Sequence, residues 1–453
     1  MLMEIQSAFQ TPSMLKDLSY DPVSSDVIPN KSQLFTISEP VDIHQTHSVV
    51  STTYPDSAYQ WLVEVFDGLI DFGNRYGHYG VINLTEDEYE WLDNVLEELI
   101  FSVGENENHI LAPLMEFVTR LISSYEDAYV PKLTEQPLNL AEKGTIESGT
   151  EDELAAYAFL AIGYLLWQGN KKDKSLTAYN ITTLLKPNSW EAFYNLGTAK
   201  GKLGQSEKAI VDFDEAIKLN PDSGQLYLNR GAAKGNCGQY KAAIADLDKA
   251  IELDPNNADA HKNRGRAKCQ LGKYQEAIAD FDKTIIFGHH IAEVYYLRAL
   301  ANALLGKHDI AILDYDKVIE LKPECVEAYN YRGISKQELH KYEDALVDFD
   351  NAIRINPDYP HAYNSRANIK GARGQFDDAL VDSTDAILLK PDYAEAYAHR
   401  GMAHIELKRI DEGISDLQTA LKLADQQKNN NLKKFVEQQI QKLNNSTPQD
   451  REN

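Results

Sequence analysis

Prolines recur along this chain at a spacing of 34 residues, and this periodicity restricts the fold more than any other feature. They are Pro187, Pro221, Pro255, Pro323, Pro357 and Pro391, and the vacant point of the lattice falls at His289, beside Gly288. A fixed period of this length is typical of an array of repeated supersecondary units. With the proline at position 32 of each unit, eight repeats begin at Ala156, Trp190, Gly224, Ala258, Ala292, Val326, Pro360 and Ala394.

Small residues occupy two positions of every repeat. Position 8 is Gly or Ala, position 20 is Ser, Ala or Gly, and position 4 is aromatic in every repeat except the one with His261. Such spacing lets two antiparallel helices approach closely, and we expect the ring at position 4 to fill the space beside that contact. Glycine recurs at position 15, where a helix stop is expected. Since one helix pair cannot bury its own apolar face, the pairs must stack.

These positions resemble the tetratricopeptide repeat family over 154–427. The resemblance implies an all-α fold, a right-handed superhelical solenoid of helix pairs whose concave groove binds an extended peptide or a partner helix. After the eighth repeat, the segment 428–445 has apolar residues at helical spacing and is predicted to be a capping helix: Leu432, Phe435, Ile440 and Leu443. Residues 446–453 are predicted to be a disordered tail.

Charged residues recur at two positions and predict a structural ladder of ion pairs. Position 7 is Arg in Arg230, Arg264, Arg298, Arg332, Arg366 and Arg400; position 23 is Asp in Asp212, Asp246, Asp280, Asp314, Asp348, Asp382 and Asp416. Pairing within a repeat would leave Asp212 opposite Leu196, whereas pairing each Asp with the Arg of the next repeat leaves only Asp416 over. We therefore expect pairing between repeats, with Asp416 facing Lys433 or Lys434.

The groove of this family is lined by positions 2, 5, 6, 9, 12 and 13 of the first helices. Asn195, Asn229 and Asn263 share position 6 and resemble the asparagine ladder that grips a peptide backbone in some superhelices of this family. The alternative is three solvated polar residues. The other candidate groove residues are Tyr194, Leu228, Lys262, Arg266, Tyr296, Leu300, Tyr331 and Ile334. Lys262 and Arg266 are the only groove cations that stand together, so the clamp for a chaperone C-terminal tail is incomplete.

The N-terminal third has a different organisation. Residues 1–56 are rich in Ser, Thr, Pro and Asp and are predicted to be a disordered acidic tail. Apolar residues at helical spacing predict a three-helix unit within 57–134, and 135–153 is a polar linker. The unit resembles the helical part of HigA-type antitoxins at Glu88-Tyr89, Glu97, Leu121-Ile122, Tyr125-Glu126-Asp127 and Pro131. The helix-turn-helix that follows in that family is absent, so the resemblance implies a docking unit without DNA binding.

Charge and residue spacing exclude several classes of function. The net charge is −25, and residues 1–155 hold 28 Asp and Glu against 6 Lys and Arg, so no nucleic-acid partner is expected. The sequence has no stretch of 18 apolar residues, so no membrane span is predicted. The three cysteines lie far apart, the histidines lack metal-ligand spacing, and no nucleophile or phosphate loop is found. We therefore expect no enzyme, metal or cofactor, and a reducing, cytoplasmic setting.

Two hypotheses about function follow. The first is a non-catalytic scaffold that binds a protein partner, as an extended peptide or a helix, in the groove. The alternative is a regulator, in which residues 57–130 dock a toxin-like or transcription partner.

Overall fold

A computed structural model describes residues 172–288 and 291–445, together with the single positions Ala156, Leu160, Gly163 and Trp167. The described residues form helices and turns without any strand, which confirms the all-α prediction. The segments predicted as tails (1–56 and 446–453), helical unit (57–134) and linker (135–153) lie outside these residues. The described part divides into two compact units between Pro255 and Asn256.

The helices follow the 34-residue period. The first unit holds α1 (Lys172–Leu185), α2 (Trp190–Lys202), α3 (Ser206–Leu219), α4 (Gly224–Asn236) and α5 (Tyr240–Leu253). The second holds α6 (Ala258–Gln270), α7 (Tyr274–Ile286), α8 (Ala292–Leu304), α9 (His308–Leu321), α10 (Val326–Glu338), α11 (Tyr342–Ile355), α12 (Pro360–Ala372), α13 (Phe376–Leu389), α14 (Ala394–Glu406), α15 (Ile410–Gln426) and α16 (Asn430–Asn445). From α2 onward, each first helix begins at position 1 of a repeat.

The first helices end at position 15, where the sequence predicts a glycine stop. Its glycines, Gly204, Gly238, Gly272, Gly306 and Gly374, have φ between 72° and 77°, in the left-handed region. Glycine adopts this conformation without steric cost, which makes it the usual residue at a helix C-terminus. His340 and Lys408 take the same conformation in repeats six and eight, with φ of 58° and 63°.

The small residue at position 8 makes room for a ring from the second helix of its own repeat. A Cβ atom on Gly333 would lie 2.6 Å from Phe349, and one on Gly265 would lie 2.7 Å from Phe281. These rings stand at position 24 and are fully buried. The prediction that position 4 fills this space is wrong, because its side chains are only half-buried in most repeats. The helix pair therefore closes around position 24.

A methyl group at this contact should destabilise the array. We expect Gly333→Ala to reduce the free energy of unfolding by about 1–3 kcal/mol, because the Phe349 ring lacks space to retreat within a packed core. Gly371→Ala is the matched control, since its Cβ would meet nothing closer than 3.9 Å. In a helix, that change should be neutral or stabilise by up to about 1 kcal/mol. Thermal unfolding followed by circular dichroism measures both, and equal shifts would contradict the packing argument.

Helix α16 covers the apolar face of repeat eight. Leu432, Phe435 and Val436 are buried in one cluster with Met402 and Leu417. Ile440 and Leu443 pack against the edge of this cluster. The last repeat therefore does not leave its apolar surface open to water.

Candidate protein-binding face

We define the inner face as the side chains at positions 2, 5, 6, 9, 12 and 13 of the first helices. First helices of successive repeats contact each other within each unit: α2 with α4 in the first, and α6, α8, α10, α12 and α14 in series in the second. The inner face is therefore a continuous surface within each unit.

The three asparagines at position 6 are buried. In the first unit, Asn229 donates from Nδ2 to Thr198 Oγ1 at 3.2 Å, and Asn195 lies one repeat earlier. Asn263 has the same place in the first repeat of the second unit. All three amides have polar or packing partners. The alternative of three solvated polar residues is therefore wrong, because their side chains are removed from solvent.

The two candidate groove cations, Lys262 and Arg266, are paired with acids at position 2. Lys262 Nζ lies 2.9 Å from Asp259, and Arg266 Nη1 lies 2.6 Å from Glu293 of the next repeat. Burial lowers the pKa of Arg266, and the charge of Glu293 opposes that shift. Arg266 Nη2 is buried and has no hydrogen-bond partner, and the same is true of Oδ1 of Asn330 in repeat six.

The apolar part of the inner face is continuous with the core. The rings of Tyr296 and Tyr331 pack against Tyr315 of the second helix, with centroids 6.0 and 6.4 Å away. Leu300 is buried in the same cluster, and Ile334 packs against it. In the first unit, Tyr194 lies 6.3 Å from Phe213, and Leu228 is also buried. We expected these side chains to be exposed. All except the partly buried Ile334 are buried, because the side chains at positions 5 and 6 reach back between the two helices and Leu300, at position 9, joins the same cluster.

The ion-pair ladder has a different pairing from the predicted one. Arg298 Nη2 lies 2.6 Å from Asp314 of its own repeat, and its Nη1 lies 2.6 Å from Asp282 of the preceding repeat. The prediction of pairing between positions 7 and 23 of successive repeats is therefore wrong. Positions 23 and 25 are about 200° apart around a helix, so position 23 faces its own first helix and position 25 faces the next one. Arg230, Arg332 and Arg366 bridge two second helices in the same way.

The same within-repeat pairing holds from repeat three to repeat eight, with Nη2 to Oδ1 distances of 2.6 to 2.8 Å. The prediction that Asp416 faces the last helix is also wrong, because Asp416 accepts from Arg400 and Lys433 pairs with Asp425. Five of these Arg side chains stack on the aromatic ring at position 4, with guanidinium carbons 5.3 to 5.6 Å from the ring centroids.

Two further positions belong to the ladder and were not predicted from the sequence. Position 11 is a lysine whose Nζ lies 2.7 to 2.8 Å from the position-23 carboxylate, in Lys200, Lys234, Lys268, Lys336 and Lys370. Position 25 is the second acid, in Asp214, Asp282, Asp316 and Asp350. Both recur on the 34-residue lattice, so a search of all positions for charge would have found them.

The cations around Asp280 and Asp314 decide the direction in which each pKa is shifted. Burial raises the pKa of a carboxyl, but hydrogen bonds from His261, Arg264 and Lys268 outweigh this for Asp280 and bring its pKa to about 2. Asp314 has only Arg298, because position 11 is Asn302, and burial leaves its pKa raised.

Supplying the missing cation should stabilise repeat five. We expect Asn302→Lys to place an ammonium group beside Asp314 and to raise the free energy of unfolding by about 0.5–1 kcal/mol, as for other partly exposed pairs. The matched control is Asn302→Met, a straight chain of similar bulk without charge. Chemical denaturation of the two variants measures the difference, and no advantage of Lys over Met would contradict the argument.

No group of residues suited to a metal is found in the described part of the chain. None of the described helices is both long and apolar enough to cross a membrane. The three cysteines are free thiols.

Comparison with known proteins supports the repeat assignment. Family models described as tetratricopeptide repeat match residues 190–223, 292–325, 326–359 and 394–427, and a model described as TPR repeat matches 236–268. Four of these matches begin at position 1 of the repeats defined above. No curated protein sequence matches the chain.

Solved structures also resemble parts of the chain. YrrB, titled a TPR protein with an unusual peptide-binding site, is 23% identical over 41% of this chain and 95% of its own, with a TM-score of 0.37. A tetratricopeptide repeat protein from Parabacteroides merdae is 18% identical over 55% and 98%, with a TM-score of 0.42. The APC/C hetero-tetramer Cut9-Hcn1 is 16% identical over 78% and 67%, with a TM-score of 0.42.

Proposed function

This chain is a tetratricopeptide repeat protein, and we propose that it is a non-catalytic scaffold that binds an extended segment of a partner protein along its inner face. The observation that carries the proposal is the recurrence of a buried amide at position 6 in Asn195, Asn229 and Asn263. An amide both donates and accepts, so it suits the peptide backbone whatever the sequence of the ligand. The partly buried side chain of Ile334 would add apolar contact. The free thiols suit the reducing, cytoplasmic compartment that we propose for it.

The test is to select peptides from a random display library on the full chain and to measure their affinity for a variant with all three asparagines changed to alanine. Each hydrogen bond from a side-chain amide contributes about 0.5–1.5 kcal/mol. Because Asn229 already donates one hydrogen bond to Thr198, we expect the variant to lose about 1.5–3 kcal/mol of binding free energy. The control is a double variant in which Asn220 and Asn356 are changed to alanine. Both residues stand in the turns between repeats, so this variant should keep the affinity unchanged.

Unchanged affinity of the triple variant, with its helix content intact, would overturn the proposal. The alternative regulator is a proposal about residues 57–130, which lie outside the described chain. Selected peptides that cross-link to 57–130 rather than to the repeats would favour it.

A further inference from the structure

The outer face of the second unit carries a row of exposed apolar side chains. We define the outer face as positions 18, 19, 22, 25, 26 and 29 of the second helices. Leu313, Val347 and Val381 stand at position 22 of three consecutive repeats, five to seven, and are 66%, 58% and 60% exposed. Ile310, one turn earlier on α9, is also exposed and widens the row. In repeats four and eight, position 22 is Ala or Ser, so the row is confined to these three repeats.

The row runs from helix to helix across α9, α11 and α13. Arg332 lies 2.6 Å from Asp316 of α9 and 2.6 Å from Asp348 of α11, so these two helices share one guanidinium. Arg366 joins α11 and α13 in the same way. Successive second helices also pack on the first helix between them, which places their axes roughly 10–15 Å apart. The side chains at position 22 therefore recur along the outer face at about this spacing.

Carboxylates without an ion pair border this apolar row. Asp309, Asp344 and Asp378 lie one helical turn before it, and Asp385 lies one turn after Val381. Residues three or four apart on a helix are neighbours on its surface, so each acid stands beside an apolar side chain. None of the four acids has an ion pair among the described residues. The border of the row is therefore a negative surface that can accept cations from a partner.

We propose that the outer face of repeats five to seven binds a basic amphipathic helix of a partner protein. A helix rises 1.5 Å per residue, so apolar residues seven or eight apart in the partner are separated by about 10–12 Å and match the spacing of the row. Lysine or arginine beside that apolar stripe would meet the bordering carboxylates. The same face of a second copy fits poorly, because it would oppose acids to acids. The inference goes beyond the proposed function, which concerns the inner face.

The first test uses a designed probe on the full chain. The probe is a labelled helical peptide of about 18 residues, which spans three second helices, with leucines forming one stripe and lysines on both sides of it. The control peptide has the same composition, with its leucines distributed around the helix. We expect the striped peptide to bind at least about tenfold more tightly, because only its leucines contact the row together. Equal affinity of the two peptides would show attraction by charge alone and would overturn the proposal.

The second test changes the row itself. A triple variant with Leu313→Ser, Val347→Ser and Val381→Ser should bind the striped peptide at least about tenfold more weakly, with its helix content intact. The matched control is Val211→Ser, which changes the same position in repeat two at the same exposure of 60% and should leave the affinity unchanged. Unchanged affinity of the triple variant, or an equal loss in the control, would overturn the proposal.

The third test examines the charged border. Asp344→Asn with Asp378→Asn should weaken binding of the striped peptide and reduce the dependence of its affinity on salt, because exposed charges are screened by salt. An affinity and a salt dependence equal to those of the unchanged chain would contradict the role of these acids.

Two further measurements separate this inference from its alternatives. The variant with all three asparagines of the inner face changed to alanine should bind the striped peptide as the unchanged chain does. Loss of binding in that variant would assign the peptide to the inner face and overturn the inference, whereas failure of the proposed function alone leaves this binding intact. Sedimentation should show that the three serine changes do not alter the association state of the chain. Association that these changes abolish would make the row a contact between copies.

Discussion

Introducing a charge into the terminal helix, by Val436→Asp, should detach α16 and cost the array about 3–5 kcal/mol. Val436 is fully buried between α14 and α15, together with Leu432 and Phe435. Burial of a side chain of this kind contributes about 1.5–3 kcal/mol, and an unpaired carboxylate cannot remain in that cluster. Detachment exposes the apolar face of repeat eight, so we also expect concentration-dependent association.

The control for this change is Gln438→Asp, which adds the same charge at an exposed position of the same helix. It should shift the thermal midpoint little. Because an array of repeats need not unfold in one step, hydrogen exchange of α14 and α15 should accompany the melting curves. Intact protection of α14 and α15 in Val436→Asp would show that α16 does not stabilise the last repeat.

Removing the most heavily paired carboxylate, by Asp280→Asn, should cost about 3 kcal/mol. Arg264 and Lys268 lie 2.6 and 2.8 Å from Asp280, and both would lose their counter-charge in a partly buried seam. Asp212→Asn is the matched control. Among the described residues Lys200 is its only cation, since position 7 is Leu196, and burial leaves the pKa of Asp212 raised. We therefore expect that change to be neutral or slightly stabilising at neutral pH.

The two carboxylates should also give opposite pH dependence. The pKa of Asp280 is about 2 in the folded chain, below the value of about 3.9 for an unfolded Asp. Its contribution is therefore present above about pH 4 and is lost as pH falls towards about 2. Asp212 has a raised pKa, so its ionised form opposes folding, and that cost is relieved as pH falls through the folded pKa. The measurement is the denaturation midpoint of each Asn variant as a function of pH between pH 2 and pH 7. Equal dependence of the midpoint on pH in the two variants would contradict this account.

The sequence alone determined the repeat, its first residue and the glycine that ends the first helix. The 34-residue period places position 15 at every turn, and the left-handed conformation found there follows from local steric preferences of the backbone. Local chemistry of this kind can be deduced from a few neighbouring residues. It predicted the ends of the first helices at the five glycines, and the structure adds that His340 and Lys408 take the same conformation.

The tertiary structure decided which side chains meet. Arg298 could face Asp280 or Asp314, and the choice depends on the rotation of each second helix, which places positions 23 and 25 towards different neighbours. The ring at position 24 closes the helix pair. Only the packed backbone shows that Phe349 occupies the space above Gly333. The burial of the inner face is likewise a property of the whole molecule. Lys262 and Arg266 lie beside the acids Asp259 and Glu293, and only the packed helices show these pairings.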